Sequence, residues 1–191
     1  FLEVFGSSSS GSSQLLNLHN FKDESNPDTW DLSAWIRGYS LYIEERVAVA
    51  QQLSFDAARG AKPQERFRSL EATSLPAEMP ALQQLMHRLL GCDPEGAATK
   101  NHVVGCALVM VLQESFQVIR CLHDGIINLV DKFFDMEKTD AVKALEMYRT
   151  ACGQTDRLQS FYQSCSQLSH DALRTISYPK LDHPPSSFLQ S

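Results

Sequence analysis

From Val103 to Ile119 the apolar residues Val103, Val104, Ala107, Leu108, Val111, Leu112, Phe116 and Ile119 recur at steps of three and four, the spacing of one face of an α-helix. The face is broad, and a helix apolar over so wide an arc must be buried against more than one neighbour. This segment is therefore expected to be the central helix of a stack. The stretch that follows, HDGIINLVDKFFDM (123–136), keeps the helical step through Ile126, Ile127, Val130, Phe133 and Phe134, while Asn128, Asp131 and Lys132 fall on the other side. Its Asp-Gly reads as a tight corner, with Asp124 as N-cap and Gly125 in the first turn of a new helix. Neighbours on a helix diverge by about 100°, so Phe133 and Phe134 are expected to separate, one into the main core and one under the next helix.

The same periodicity organises the rest of the chain. Leu32, Trp35, Ile36, Tyr39, Ile43, Val47 and Ala50 mark one amphipathic helix, preceded by a turn at Asn26–Thr29 that leaves Asp28, Thr29 and Asp31 as candidate caps. ARGAKPQER breaks the pattern before a short helix around Glu65 to Leu70. Pro80 suits an early helical position, and Leu82, Leu85, Met86 and Leu89 carry a stripe to Gly91, which suits a left-handed stop. Val142, Leu145, Tyr148, Leu158, Phe161, Tyr162, Cys165 and Leu168 mark a long helix, with Gly153 a place for it to bend. Pro184 and Pro185 hold the tail extended. No segment alternates with the period of a strand and no repeat of fixed length occurs, so the class is all-α, successive helices stacking as in bundles and solenoids.

Composition narrows the function. The 191 residues are 43% apolar and 21% charged, the formal net charge is −6, and the basic residues are scattered, so neither nucleic acid nor an anionic bilayer is an evident electrostatic partner. Cys92, Cys106, Cys121, Cys152 and Cys165 form no CxxC pair and are odd in number, which reads as reduced core thiols of an intracellular protein. No uninterrupted apolar run is long enough to span a membrane. The opening FLEVFGSSSSGSSQ lacks the charged start of a signal peptide, and residues 1–13 read as a flexible loop or an added linker. Gly6 to Gly11 has the glycine spacing of a phosphate-binding loop, but Ser12 stands where the lysine is needed. His102 and Cys106 lie one helical turn apart and His123 precedes Asp124, yet no third group at metal or triad spacing accompanies either. Glu44, Glu45 and Arg46 read as a solvated face. No enzyme, cofactor or metal is expected.

Two long segments carry a resemblance. LLNLHNFKDESNPDTWDLSAWIRGYSLYIEER (15–46) and HDGIINLVDKFFDM, with PPSSFL near the end, closely resemble the ANTH domain of clathrin-assembly proteins, in particular the plant branch, relatives of the phosphatidylinositol-binding clathrin-assembly adaptors. The resemblance runs from about residue 14 to the C-terminus and implies an α-helical superhelix, residues 14–191 being the C-terminal portion of the domain without its N-terminal helices. It implies a cytoplasmic adaptor, peripheral at plasma-membrane clathrin-coated pits, clathrin-coated vesicles and the trans-Golgi network, that recruits clathrin and cargo during endocytosis. The family's basic lipid motif falls upstream of Phe1, which implies that phosphatidylinositol 4,5-bisphosphate binding is weak or lost in this chain. Clathrin and adaptor-complex binding would reside in parts of the full-length protein outside it. What remains would be a groove for the R-SNARE helix of vesicle-associated membrane proteins, a helix-in-groove mode. The resemblance places Leu158, Phe161, Tyr162 and Cys165 at or beneath this groove and Phe188 and Leu189 on its other side; Tyr162 departs from the aliphatic residue expected there.

Overall fold

The computed structural model describes residues 15–58 and 63–182. Its helices are α1 (Asp28–Gln52), α2 (Pro63–Ser69), α3 (Leu75–Leu90), α4 (His102–Lys132), α5 (Lys138–Ser166) and α6 (Asp171–Arg174), with single 3-10 turns at Gly96–Lys100 and Phe133–Asp135. No strand occurs among the described residues, and the all-α stacked-helix class holds. The central position of α4 also holds: it packs on α2, α3, α5 and α6, while α3 bridges α1 and α5. Leu108, Leu112, Leu122 and Leu129 of α4 are fully enclosed by Leu82, Met86, Leu89, Tyr148 and Leu158 from its neighbours. By length and composition alone α4 and its following turn could cross a membrane, and 44% of the apolar window is buried among the neighbouring helices.

The helix ends depart from expectation in instructive ways. None of Asp28, Thr29 or Asp31 caps α1. The Asn26 side-chain carbonyl accepts the backbone N–H groups of Asp28 and Thr29 at 3.0 and 3.2 Å. Asp31 instead accepts the N–H of Ala97 at 2.8 Å, tying α1 to the first 3-10 turn. At the start of α4, Asn101 accepts the N–H groups of Val103 and Val104, satisfying donors that the first turn leaves without helical partners. Gly91 ends α3 at φ −74°, in the right-handed region, so it is no left-handed stop. Close approach governs this corner: a Cβ on Gly38 of α1 would lie 2.8 Å from the Gly91 carbonyl oxygen.

The expected corner at Asp124 and Gly125 does not exist, because α4 runs unbroken through both. Gly125 serves packing: a Cβ there would meet the Met79 sulfur at 2.2 Å, so its absence lets α3 close on α4. The corner comes later, in the 3-10 turn, where Phe133 packs on the core and Phe134 is 80% exposed. Phe134 therefore lies under no helix. α5 runs continuously past Gly153.

One polar cluster is sealed inside. Arg46 of α1 donates to Glu114 of α4 at 2.9 Å and to Asp56 at 2.7 Å, and the Tyr42 hydroxyl donates to the same Glu114 carboxylate. Burial and the Glu114 charge hold the Tyr42 phenol well above its ordinary range. Arg46 is thus no part of a solvated face. Asn128 similarly donates to the carbonyls of Phe67 and Leu70, fixing the end of α2 on α4.

Candidate functional site

The seam between α4 and α5 continues into the segment after α6. Serine at 115 and tyrosine at 162 place a hydroxyl on each helix, and the two share a hydrogen bond at 2.8 Å. The Phe116 ring meets Tyr162 edge-on at 5.6 Å, and Tyr178 closes the group at 5.2 Å from Tyr162. Ile176, Tyr178 and Leu181 lay their side chains against the core, so the chain after α6 forms a rim along the seam. Burial raises the Tyr162 and Tyr178 phenols above their ordinary range.

Between this rim and the two helices lies a cleft of about 300 Å³, whose apolar wall includes Phe116, Ile119, Ala151, Pro179 and Leu181 and whose mouth carries Arg120, His123, Asp124 and Asp182. An apolar floor with a charged edge can hold an amphipathic segment by its apolar side. A second, more open depression of about 500 Å³ lies on the other flank of α5, between Leu90, Asp93, Arg157, Phe161 and Ser164.

The residues expected in the groove are distributed as follows. Leu158 and Cys165 are fully buried under α5, and Phe161 and Tyr162 are 3% and 6% exposed. Tyr162 joins the ring cluster at the first cleft, whereas Phe161 lines the second depression. Phe188 and Leu189 lie outside the described residues. Sequence periodicity missed Phe116 and Ile119 as cleft residues because they belong to the same apolar face as the core. Tyr178 and Leu181 were missed because an extended segment has no helical period; the Tyr-Pro pair was the available signal. The cysteines split likewise: Cys92, Cys121 and Cys165 are buried, Cys152 is half-buried and Cys106 is exposed. The expectation that no third group joins His102 and Cys106 is wrong. His170 reaches His102 from 68 residues away in sequence and Cys106 from 64.

The fold is a stack of helices with a cleft along the seam between α4, α5 and the segment after α6. The chain belongs to the ANTH domain family, whose profile it matches over residues 1–191. It is similar to two clathrin assembly proteins of Arabidopsis thaliana, 45% identical over 185 residues and 44% over 183, each covering 92% of this chain. It is also similar to the clathrin coat assembly protein AP180 of Homo sapiens, 32% identical over 178 residues and 93% of the chain. The chain spans 32%, 31% and 19% of the lengths of these three relatives. The family is one of non-catalytic adaptors, in accord with the reading of the chain as no enzyme.

Proposed function

We propose that the chain is part of a longer endocytic clathrin adaptor, recruited to a phosphoinositide-bearing membrane and working at clathrin-coated pits and vesicles. The observation that carries this reading is the ANTH match along all 191 residues, joined to 42–45% identity with plant clathrin assembly proteins. Clathrin and the adaptor complex would be engaged by segments outside this chain. The test is sedimentation of the full-length protein with vesicles containing phosphatidylinositol 4,5-bisphosphate. Pelleting that depends on the lipid supports the reading, and equal recovery on vesicles lacking it removes the membrane step.

A second, finer reading concerns cargo. The cleft between α4, α5 and the 176–182 segment supports recognition of an R-SNARE helix, whose apolar face would lie along Phe116, Ile119 and Leu181. Tyr162, packed edge-on against Phe116, would set the shape of the floor from beneath. Ordering the SNARE segment opposes the gain from burial, so the interaction is expected to be moderate in strength. Titration of the chain with an R-SNARE-motif peptide decides this reading: no heat of binding removes it.

A further inference from the structure

The geometry points to a zinc site at the start of α4, built from His102, Cys106 and His170. Its residues play no part in the cleft or in the adaptor reading. His102 and Cys106 are one turn apart on α4, with Cys106 Sγ 3.6 Å from His102 Nε2. His170, the residue just before α6, brings its Nε2 to 4.0 Å from the thiol and 3.2 Å from His102 Nδ1. Taking one ligand atom from each residue, all three lie within 4.8 Å of one another. Tetrahedral zinc, with bonds of about 2.0–2.1 Å to nitrogen and about 2.3 Å to sulfur, needs nitrogen–nitrogen edges of roughly 3.3 Å and nitrogen–sulfur edges of roughly 3.6 Å. His102 faces Cys106 with Nε2 and His170 with Nδ1, so coordination requires its exposed ring to turn until one nitrogen serves both edges.

Two features beyond proximity shape the site. The His170 ring lies directly over Gly105, between the two α4 ligands; a Cβ at 105 would sit 2.2 Å from its Cδ2. Glycine at this position makes room for the third ligand. The His170 Nδ1 is buried with no hydrogen-bond partner among the described residues, so that nitrogen is closed to an ion and Nε2 is left as the donor facing the other two. The backbone that carries the ring is anchored to the first turn of α6, since the His170 carbonyl accepts the N–H groups of Leu173 and Arg174. Cys106 and His102 are exposed, leaving the fourth position to water. Two imidazoles and one thiolate match a borderline-soft ion, hence zinc rather than magnesium or calcium. On binding, the Cys106 thiol loses its proton to solvent as the sulfur–zinc bond forms, so affinity falls as pH falls. The bound ion would pin the segment between α5 and α6 to the head of α4.

Titration of the 191-residue chain with cobalt(II), followed by zinc competition against a chromophoric chelator, tests the site. One equivalent of cobalt should produce a thiolate charge-transfer band and the strong visible absorption of tetrahedral coordination, both displaced by zinc. Cys106→Ser should abolish the charge-transfer band, and His170→Ala should weaken zinc binding roughly ten-fold or more, since even the groups behind a ligand are worth that much. Zinc should also shield Cys106 of the unsubstituted chain from alkylation, a measurement that needs no variant. Absence of the band, its persistence in Cys106→Ser, or alkylation at the same rate with and without zinc would overturn the assignment.

Discussion

Arg46 Nη1 stands 2.9 Å from Glu114 Oε1 in the interior, joining α1 to the central helix across 68 positions of sequence. Both side chains are almost fully buried, at 7% and 6% exposure, and the guanidinium also reaches Asp56. Burial alone would draw the Arg46 proton off; the hydrogen bond to Asp56 and the Glu114 and Asp56 charges outweigh it, and the guanidinium ends above its ordinary range. Removing one member leaves the other charge in a site built for two. Arg46→Met is expected to cost about 3–5 kcal/mol, and adding Glu114→Leu should restore part of that loss. Urea denaturation of the two single variants and the double variant checks this; additive losses would contradict it.

Gly38 and Gly153 have opposite reasons to be glycine. At Gly38 a Cβ would press on the Gly91 carbonyl oxygen, whereas Gly153 faces open space on α5. Gly38→Ala should destabilise by about 1–3 kcal/mol through overpacking. Gly153→Ala should stabilise by about 0.5–1 kcal/mol through helix propensity and a less flexible unfolded chain. Thermal unfolding of the two variants should therefore shift in opposite directions.

Burial holds the Cys121 and Cys165 thiols up at about 12. An unfolded thiol releases its proton near pH 8.5, so between these values the unfolded state alone gains from ionisation. Stability is then full below about pH 8.5 and declines above it by ~1.4 kcal/mol per pH unit for each thiol, until the folded values are reached. Cys121→Ala should flatten this alkaline slope, as read from denaturation curves taken at several pH values. An unchanged slope would contradict the role of that thiol.

The helical class and the central segment were legible because a wide apolar face at steps of three and four admits few other arrangements. What periodicity could not show were the polar groups whose partners are distant. Arg46 looked solvated because Glu114 belongs to another helix, and His170 did not register beside His102 and Cys106 because a loop carries it there. Two glycines misled for a related reason: Gly125 answers to Met79 of α3 and Gly91 to the close approach of Gly38 on α1, not to local turns. The resemblance to the ANTH domain supplied the family, but the four described groove residues lie almost wholly below the surface.

If an R-SNARE helix uses the α4–α5 cleft, the half-buried Ile119 on its wall is the place to disrupt it. Ile119→Asp should weaken binding of an R-SNARE-motif peptide by roughly ten-fold or more, as loss of a central interface anchor does, with the helical circular dichroism signal retained. Unchanged affinity in calorimetry would move the contact elsewhere.

The membrane-adaptor assignment is tested most directly by co-sedimentation of the full-length protein, clathrin and vesicles. With phosphatidylinositol 4,5-bisphosphate present, the protein should pellet and bring clathrin with it, and both should stay in solution when that lipid is omitted. Pelleting indifferent to the lipid, or a pellet without clathrin, would contradict the assignment.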